Sequence, residues 1–357
     1  MRVIACANQK GGCGKTTTAI NLSSSLAIKS KKVLLIDFDP QAHATMGLNV
    51  KLSELENSIY DVITAKKNGY LGIGDILIYI KDNFDLAPSS LILTAIEQEF
   101  SGLESRENRL FEAIQELKEE YAYDYIVIDC PPSVGHLCFN ALRACDEVVI
   151  PIDMSLFSLR GVTKLIEIIT LIKEKVGHDI KSRALITMYD RRTRYSRVVL
   201  EKVQVEFGDN VFDTVIRYNI RLRETADLGL PVGDYDKNAI GHMDYENLAE
   251  EVIRSGETRT YQNLNTSNAT QDMLQKTEEY IDTAAELPQD ESTISEMEEF
   301  SEDELVGSDI KDFSEKESQD SETEYFHAYS SQSNYSQMIE SIANEPSDYM
   351  QKYKGEN

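Results

Sequence analysis

The chain has 357 residues, enough for two average domains, with 62 acidic and 36 basic residues and a formal net charge of −26. It holds no run of about 18 apolar residues and no signal-peptide pattern ahead of its first apolar segment, so neither a membrane-spanning nor an exported protein is expected. Its 5 cysteines form no C-x-x-C pair, which points to reduced cytosolic thiols and away from a disulfide framework.

Arg2 to Ala7 is an apolar run that reads as a buried strand, and Thr16 to about Ile28 reads as a helix with Ala19, Leu22, Leu26 and Ala27 on one side. Between them lies Asn8-Gln-Lys-Gly-Gly-Cys-Gly-Lys-Thr-Thr17. Strand, glycine-rich loop and helix make the setting that a phosphate-binding loop requires. Gly11, Gly12 and Gly14 let backbone amides turn inward, because no Cβ blocks them, and Cys13 fills the variable position. Those amides and the helix N-terminus, which opens at Thr16 and Thr17, offer partial positive charge to a polyphosphate. Lys15 is placed to reach the β- and γ-phosphates, and the Thr16 hydroxyl to bind Mg²⁺. The common pattern puts a glycine five residues before Gly14; here that residue is Gln9, and a second lysine, Lys10, stands at the mouth of the loop. This K-G-G-x-G-K-T-T form resembles the deviant Walker A loop of the ParA/Soj–MinD ATPases. The resemblance implies that the nucleotide is ATP. It also implies that Lys10 acts beside Lys15 as a catalytic lysine, reaching the nucleotide bound by the partner subunit.

Lys32-Val-Leu-Leu-Ile-Asp-Phe-Asp-Pro-Gln41 is an apolar strand ending in two acids. Carboxylates at the carboxyl end of a parallel strand sit where α/β sheets bind ligands. On the resemblance this D-x-D-P-Q segment is switch I, in which Asp37 supports the Mg²⁺ shell and Asp39 positions the attacking water. His43 reads as a surface residue. Farther on, Leu52 to Ala65 and Gly74 to Lys81 are expected to be helical, Phe84 to Pro88 to be a short strand, and Leu91 to Phe100 and Asn108 to Tyr121 to be amphipathic helices.

Tyr125-Ile-Val-Ile-Asp-Cys-Pro-Pro-Ser133 is the second strong signal. An apolar strand ending in Asp129 fits a Walker B acid that holds Mg²⁺ through water. Pro131 and Pro132 end that strand, and the resemblance makes the segment switch II. Further strands are expected at Glu147–Asp153, Ser182–Met188 and Val211–Ile216, with helices at Phe157–Lys173, Ser196–Phe207 and Met243–Ile253. Strands alternating with helices at these lengths imply an α/β fold with a mostly parallel sheet and helices on both faces; with the phosphate loop, the resemblance implies a P-loop NTPase with a twisted sheet of this kind.

Two basic clusters interrupt this acidic chain. Tyr189-Asp-Arg-Arg-Thr-Arg-Tyr-Ser-Arg197 carries four arginines, and Arg217-Tyr-Asn-Ile-Arg-Leu-Arg223 carries three. Arginine presents phosphate with a fixed fork of donors, so one joint patch would suit a nucleic-acid backbone. The resemblance assigns Arg192 and Arg221 to DNA binding without sequence preference, although Arg217-Tyr218 replaces the usual proline-arginine.

Residues 255–357 hold 25 acids against 6 bases, a net charge of −19. That composition buries too little apolar surface to offset ordering entropy, so a disordered acidic tail is expected after an ATPase domain at 1–254. Its expected roles are folding back on the arginines, solubility, or docking a partner through Tyr329 to Tyr353. Taken with the resemblance, the chain is expected to be a cytoplasmic DNA-partitioning ATPase that associates with the nucleoid when ATP-bound. An ATP-dependent homodimer would bind DNA and release it on hydrolysis stimulated by a ParB-like partner. The alternative is a MinD-like or other ParA-family ATPase that positions a protein cargo or acts on a membrane. A nitrogenase-reductase-like carrier lacks the required cysteine context.

Overall fold

In the computed structural model, residues 1–257 are described, except 65–70, 101–105, 134 and 156. The expected acidic tail therefore lies outside the described residues, apart from Ser255, Gly256 and Glu257, which extend the last helix.

Apolar runs bounded by turn residues become strands, and amphipathic runs become the helices between them. In chain order these are β1 (Arg2–Cys6), α1 (Lys15–Ile28), β2 (Val33–Asp37), α2 (His43–Met46), α3 (Ile59–Thr64), β3 (Ile78–Lys81), β4 (Phe84–Ala87) and α4 (Ile96–Glu99). They continue as α5 (Arg109–Glu120), β5 (Tyr125–Asp129), α6 (His136–Ala144), β6 (Glu147–Ile152), α7 (Phe157–Val176), β7 (Lys181–Ile186), α8 (Arg194–Phe207), α9 (Arg221–Leu228), α10 (Val232–Tyr235) and α11 (Ile240–Glu257). The strands form one sheet in the order β3-β4-β2-β5-β1-β6-β7, parallel throughout except for β3.

Ile4, Val33, Leu35, Phe84, Val127 and Val149 face α1 and α11 in a common core with Leu22, Leu26, Tyr245 and Leu248. The alternate residues Ala5, Leu34, Ile36, Ile126 and Ile128 are equally buried, so both faces of the sheet are covered. Alternation also fixes where the acids point. Asp37 continues the Val33, Leu35 series and Asp129 the Tyr125, Val127 series, so both carboxylates project on the α1 side. They are register partners across the β2–β5 pair.

Four local expectations are revised. Gly74–Lys81 is not a helix: a short 3₁₀ turn at Ile73–Ile76 leads into β3, which pairs antiparallel with β4. Its β-branched and aromatic residues suit an edge strand, and Asn83 turns the hairpin at a φ of 62°. Val211–Ile216 bonds to β7 only near its ends, through Phe212 to Ala184 and Ile216 to Ile186. Between them the amides of Asp213 and Thr214 donate to the Glu251 carboxylate, each at 3.0 Å, which diverts the ladder. Leu52–Ala65 and Leu91–Phe100 break into 3₁₀ turns and short helices. The helices α6 and α9 arise where none was expected. His43 is exposed, and all five cysteines are buried and unbridged. Among the described residues no helix is long and apolar enough to cross a membrane.

Candidate nucleotide site and the arginine face

Six chain segments meet at the carboxyl ends of the strands. The loop after β1 folds over the start of α1. Gly12 and Gly14 take φ values of 74° and 94°, in the left-handed region that strains any residue with a Cβ. Past β7, Thr187 donates from Oγ1 to the Cys13 carbonyl at 2.8 Å and pins the loop to the sheet. Burial pushes the Cys13 thiol up, so it packs as a small apolar group. Lys15 is 7% exposed, and its ammonium donates across the loop to the Lys10 carbonyl at 3.0 Å. A buried ammonium with a single neutral acceptor in the loop is poised for an anionic one.

The carboxylates sit below this loop. Asp129 is fully buried, and neither of its oxygens has a hydrogen-bond partner of good geometry. Burial and the neighbouring Asp37 charge raise its pKa well above the usual carboxylate range, and the Thr16 hydroxyl offsets this only in part. Burial also pushes Asp37 up to about 7, opposed by its hydrogen bonds to Thr45. Two carboxylates at adjacent-strand spacing, about 5 Å, repel by roughly 3 kcal/mol at an effective dielectric of 20. A divalent cation would remove that penalty. The residues therefore fit Mg²⁺, which is held by one or two carboxylates together with substrate phosphates rather than by a full protein cage. Among the described residues no group of three or more acidic, His or Cys side chains forms such a cage. Asp39 is 5% exposed; its Oδ1 accepts from the Gln41 amide at 2.9 Å.

Lys10 lies beside this cradle but does not point away from its own chain. Its ammonium pairs with Asp153 at 2.5 Å and donates to the Ser155 hydroxyl, both just beyond β6. Its amide is held by Asn8 Oδ1 at 3.1 Å, and Asn8 itself donates to the Pro151 carbonyl at 2.7 Å.

On the other side of the loop a cavity of about 70 Å³ abuts Gly14 and Thr17. Met188, Ile216, Tyr218, Asn219 and Leu222 help to line it. These residues come from the ends of β7 and of the diverted edge segment. The sequence carries no sign of this wall, because the pattern from Arg217 to Arg223 points to an arginine patch and not to a pocket.

The same segment brings the two arginine clusters together. Tyr189 and Arg217 form a parallel bridge, and the Tyr218 amide donates to the Tyr189 carbonyl at 3.0 Å. Arg192 pairs with Asp190 at 2.7 Å, and Arg221 with Glu224 at 2.7 Å; Arg217 is held by Asp244. Arg191, Arg194 and Arg197 are exposed, and no carboxylate partner is found for them among the described residues. Thr193 caps α8 by accepting from the Ser196 amide at 3.1 Å, so Arg194 and Arg197 sit on its first turns, where the helix adds positive potential.

Comparison with known proteins agrees with this geometry. A family model described as an AAA domain matches residues 1–182. The sporulation initiation inhibitor protein Soj of Bacillus subtilis is 40% identical over 260 residues, covering 71% of this chain and 99% of Soj. The chromosome partitioning protein ParA of Caulobacter vibrioides is 38% identical over 255 residues, 71% of this chain and 94% of that protein. A crystal structure of cobyrinic acid a,c-diamide synthase from Mycobacterium smegmatis, with bound ATP analog and magnesium, is similar at a TM-score of 0.63 and 29% identity, covering 72% of this chain and 97% of that one.

Proposed function

This chain belongs to the ParA/Soj family of partitioning ATPases, and we propose that it couples ATP·Mg²⁺ binding and hydrolysis to dimerisation and to DNA binding without sequence preference. The observation that carries the reading is the Asp129 carboxylate, fully buried with no hydrogen bond of good geometry, beneath a phosphate-loop lysine and beside Thr16. A bound cation is one of the few things that compensate such a group.

The loop amides and Lys15 hold the β- and γ-phosphates, and the adenine ring enters the cavity walled by Met188, Tyr218 and Leu222. Thr16, Asp37 and Asp129 would hold Mg²⁺. When bound, Mg²⁺ supplies charge neutralisation to the terminal phosphates. Asp39 orients a water for in-line attack on the γ-phosphorus. The new O–P bond forms as the bond to the bridging oxygen breaks, and the products are ADP and phosphate.

Lys10 crosses to the nucleotide of a second copy, which requires it to exchange Asp153 and Ser155 for a phosphate. The phosphate it reaches is the terminal one, which ADP lacks, so the exchange favours ATP over ADP. The dimer joins two arginine faces and doubles the phosphates neutralised. Hydrolysis then returns Lys10 to Asp153, the pair separates, and DNA is released. A ParB-like protein accelerates this step, and the protein works in the cytoplasm, on the nucleoid while ATP-bound.

The test is binding to random-sequence duplex DNA with ATP, ADP or no nucleotide. Tight binding should require ATP, and equal binding in all three states would overturn the reading. The arginine face gives a second expectation. Replacing Arg191, Arg194 and Arg197 with alanine should weaken DNA binding at every sequence and make the slope of log K against log[salt] shallower, by roughly 0.9 for each lost phosphate contact. Fluorescent ATP binding should stay unchanged. An unaltered salt slope would remove these arginines from the interface.

A further inference from the structure

Two buried hydroxyl residues connect the acids at the end of β2, and neither lies in the phosphate loop. Thr45, in α2, donates twice to the same Asp37 oxygen, from its amide at 2.7 Å and from Oγ1 at 2.6 Å. The Thr45 hydroxyl also accepts from the Ser89 amide at 3.0 Å. Ser89, just past β4, then donates its own hydroxyl to the Asp39 carbonyl at 2.7 Å. Thr45 and Ser89 are both 0% exposed. One serine on a neighbouring strand is therefore tied to both acids, to Asp37 through Thr45 and to Asp39 directly.

The turn between the acids and Thr45 is strained. Ala42 has a φ of 52°, in the left-handed region that costs a residue with a Cβ on the order of 1 kcal/mol or more. Its amide donates to the same Asp39 carbonyl that Ser89 holds, at 2.9 Å. A backbone kept in such a conformation must be held by its surroundings, and here the surroundings are this hydroxyl relay. The relay leaves the other Asp37 oxygen with only a long contact, 3.3 Å, from the Asp39 amide. Asp39 Oδ1 is engaged by the Gln41 amide, and its other oxygen accepts no hydrogen bond among the described residues.

We infer that Thr45 and Ser89 are positioning residues for hydrolysis: Thr45 sets the carboxylate of Asp37 toward the metal, and Ser89 sets the backbone that aims Asp39 at the attacking water. This rests on the ATPase reading above. The two residues act on different acids, so their loss has different signatures. Removing the Thr45 hydroxyl takes away one of two donors to Asp37 and leaves the Ser89 amide without its acceptor. Removing the Ser89 hydroxyl takes away one of the two donors to the Asp39 carbonyl, leaving the Ala42 amide, and leaves Asp37 held.

The test is steady-state ATP hydrolysis by the full chain across a Mg²⁺ titration, with fluorescent ATP binding measured in parallel. Thr45→Val should raise the Mg²⁺ concentration for half-maximal rate by about tenfold or more, the usual scale for losing an outer partner of a metal ligand. Thr45→Ser should restore it to within about threefold, since the hydroxyl returns. Ser89→Ala should lower kcat by about tenfold while leaving the Mg²⁺ midpoint and ATP affinity near wild type. A Thr45→Val enzyme with an unchanged midpoint and kcat overturns the inference. So does Ser89→Ala if midpoint and kcat move together, or if neither moves. If Thr45→Val does not fold, Ser89→Ala and Thr45→Ser decide. A wild-type chain that hydrolyses no ATP would instead sink the ATPase reading itself.

Discussion

Lys15→Ala should abolish nucleotide binding at ordinary concentrations. The Lys15 ammonium is 7% exposed and donates to a single loop carbonyl, so bound phosphates would supply the acceptors its burial demands. Truncating one member of a buried, charge-assisted pair costs about 2–5 kcal/mol, which corresponds to roughly 30-fold to several thousand-fold in Kd. The loss should appear in calorimetric titration with ATP·Mg²⁺. The fold should not suffer, because the substitution also removes a buried charge whose partner in the loop is neutral. A Kd within threefold of wild type, in a variant that melts normally, would remove Lys15 from the site.

Asp39→Ala separates binding from turnover. Asp39 lies on the turn after β2 and has no part in the phosphate cradle, so ATP affinity should remain near wild type. Orienting and deprotonating a water contributes typically 10²- to 10⁴-fold, and kcat should fall on that scale. The variant should accumulate as an ATP-bound pair on DNA if, as proposed, hydrolysis is the step that releases it. Single-turnover hydrolysis and DNA retention after dilution read the two halves. Normal turnover in Asp39→Ala would assign the water to another residue.

What the sequence disclosed, and what it hid, follows from distance along the chain. The phosphate loop, the two acids after β2 and the acid ending β5 are each local: strand, turn and chemistry occupy one continuous stretch. The periodicities that place them on strands are local as well, so the parallel sheet was legible. The misread pieces depend on remote partners. Val211–Ile216 is apolar and β-branched, yet Glu251 on the last helix captures its middle amides. Gly74–Lys81 reads as helix in the sequence because a short apolar run carries no decisive period, and the role of Ile78–Lys81 as an edge strand depends on pairing with β4. Lys10 was legible as an unusual lysine, but its hold on Asp153, 143 residues away, was not. The relay from Ser89 through Thr45 likewise joins two residues 44 positions apart.

The pairing of Lys10 with Asp153 gives the account its pivot. Within one copy the lysine is satisfied by a carboxylate and a hydroxyl, so a copy without ATP has no call on a partner. On the proposed cycle, pairing gives Lys10 a different acceptor, the terminal phosphate of a second copy's ATP. The most direct measurement is sedimentation velocity of Lys10→Ala in an Asp39→Ala background, where ATP is not consumed, beside the Asp39→Ala parent. With ATP·Mg²⁺ the parent should sediment as a dimer and the double variant as a monomer that still binds fluorescent ATP. A double variant that dimerises as fully as its parent would contradict the coupling of nucleotide to pairing through Lys10.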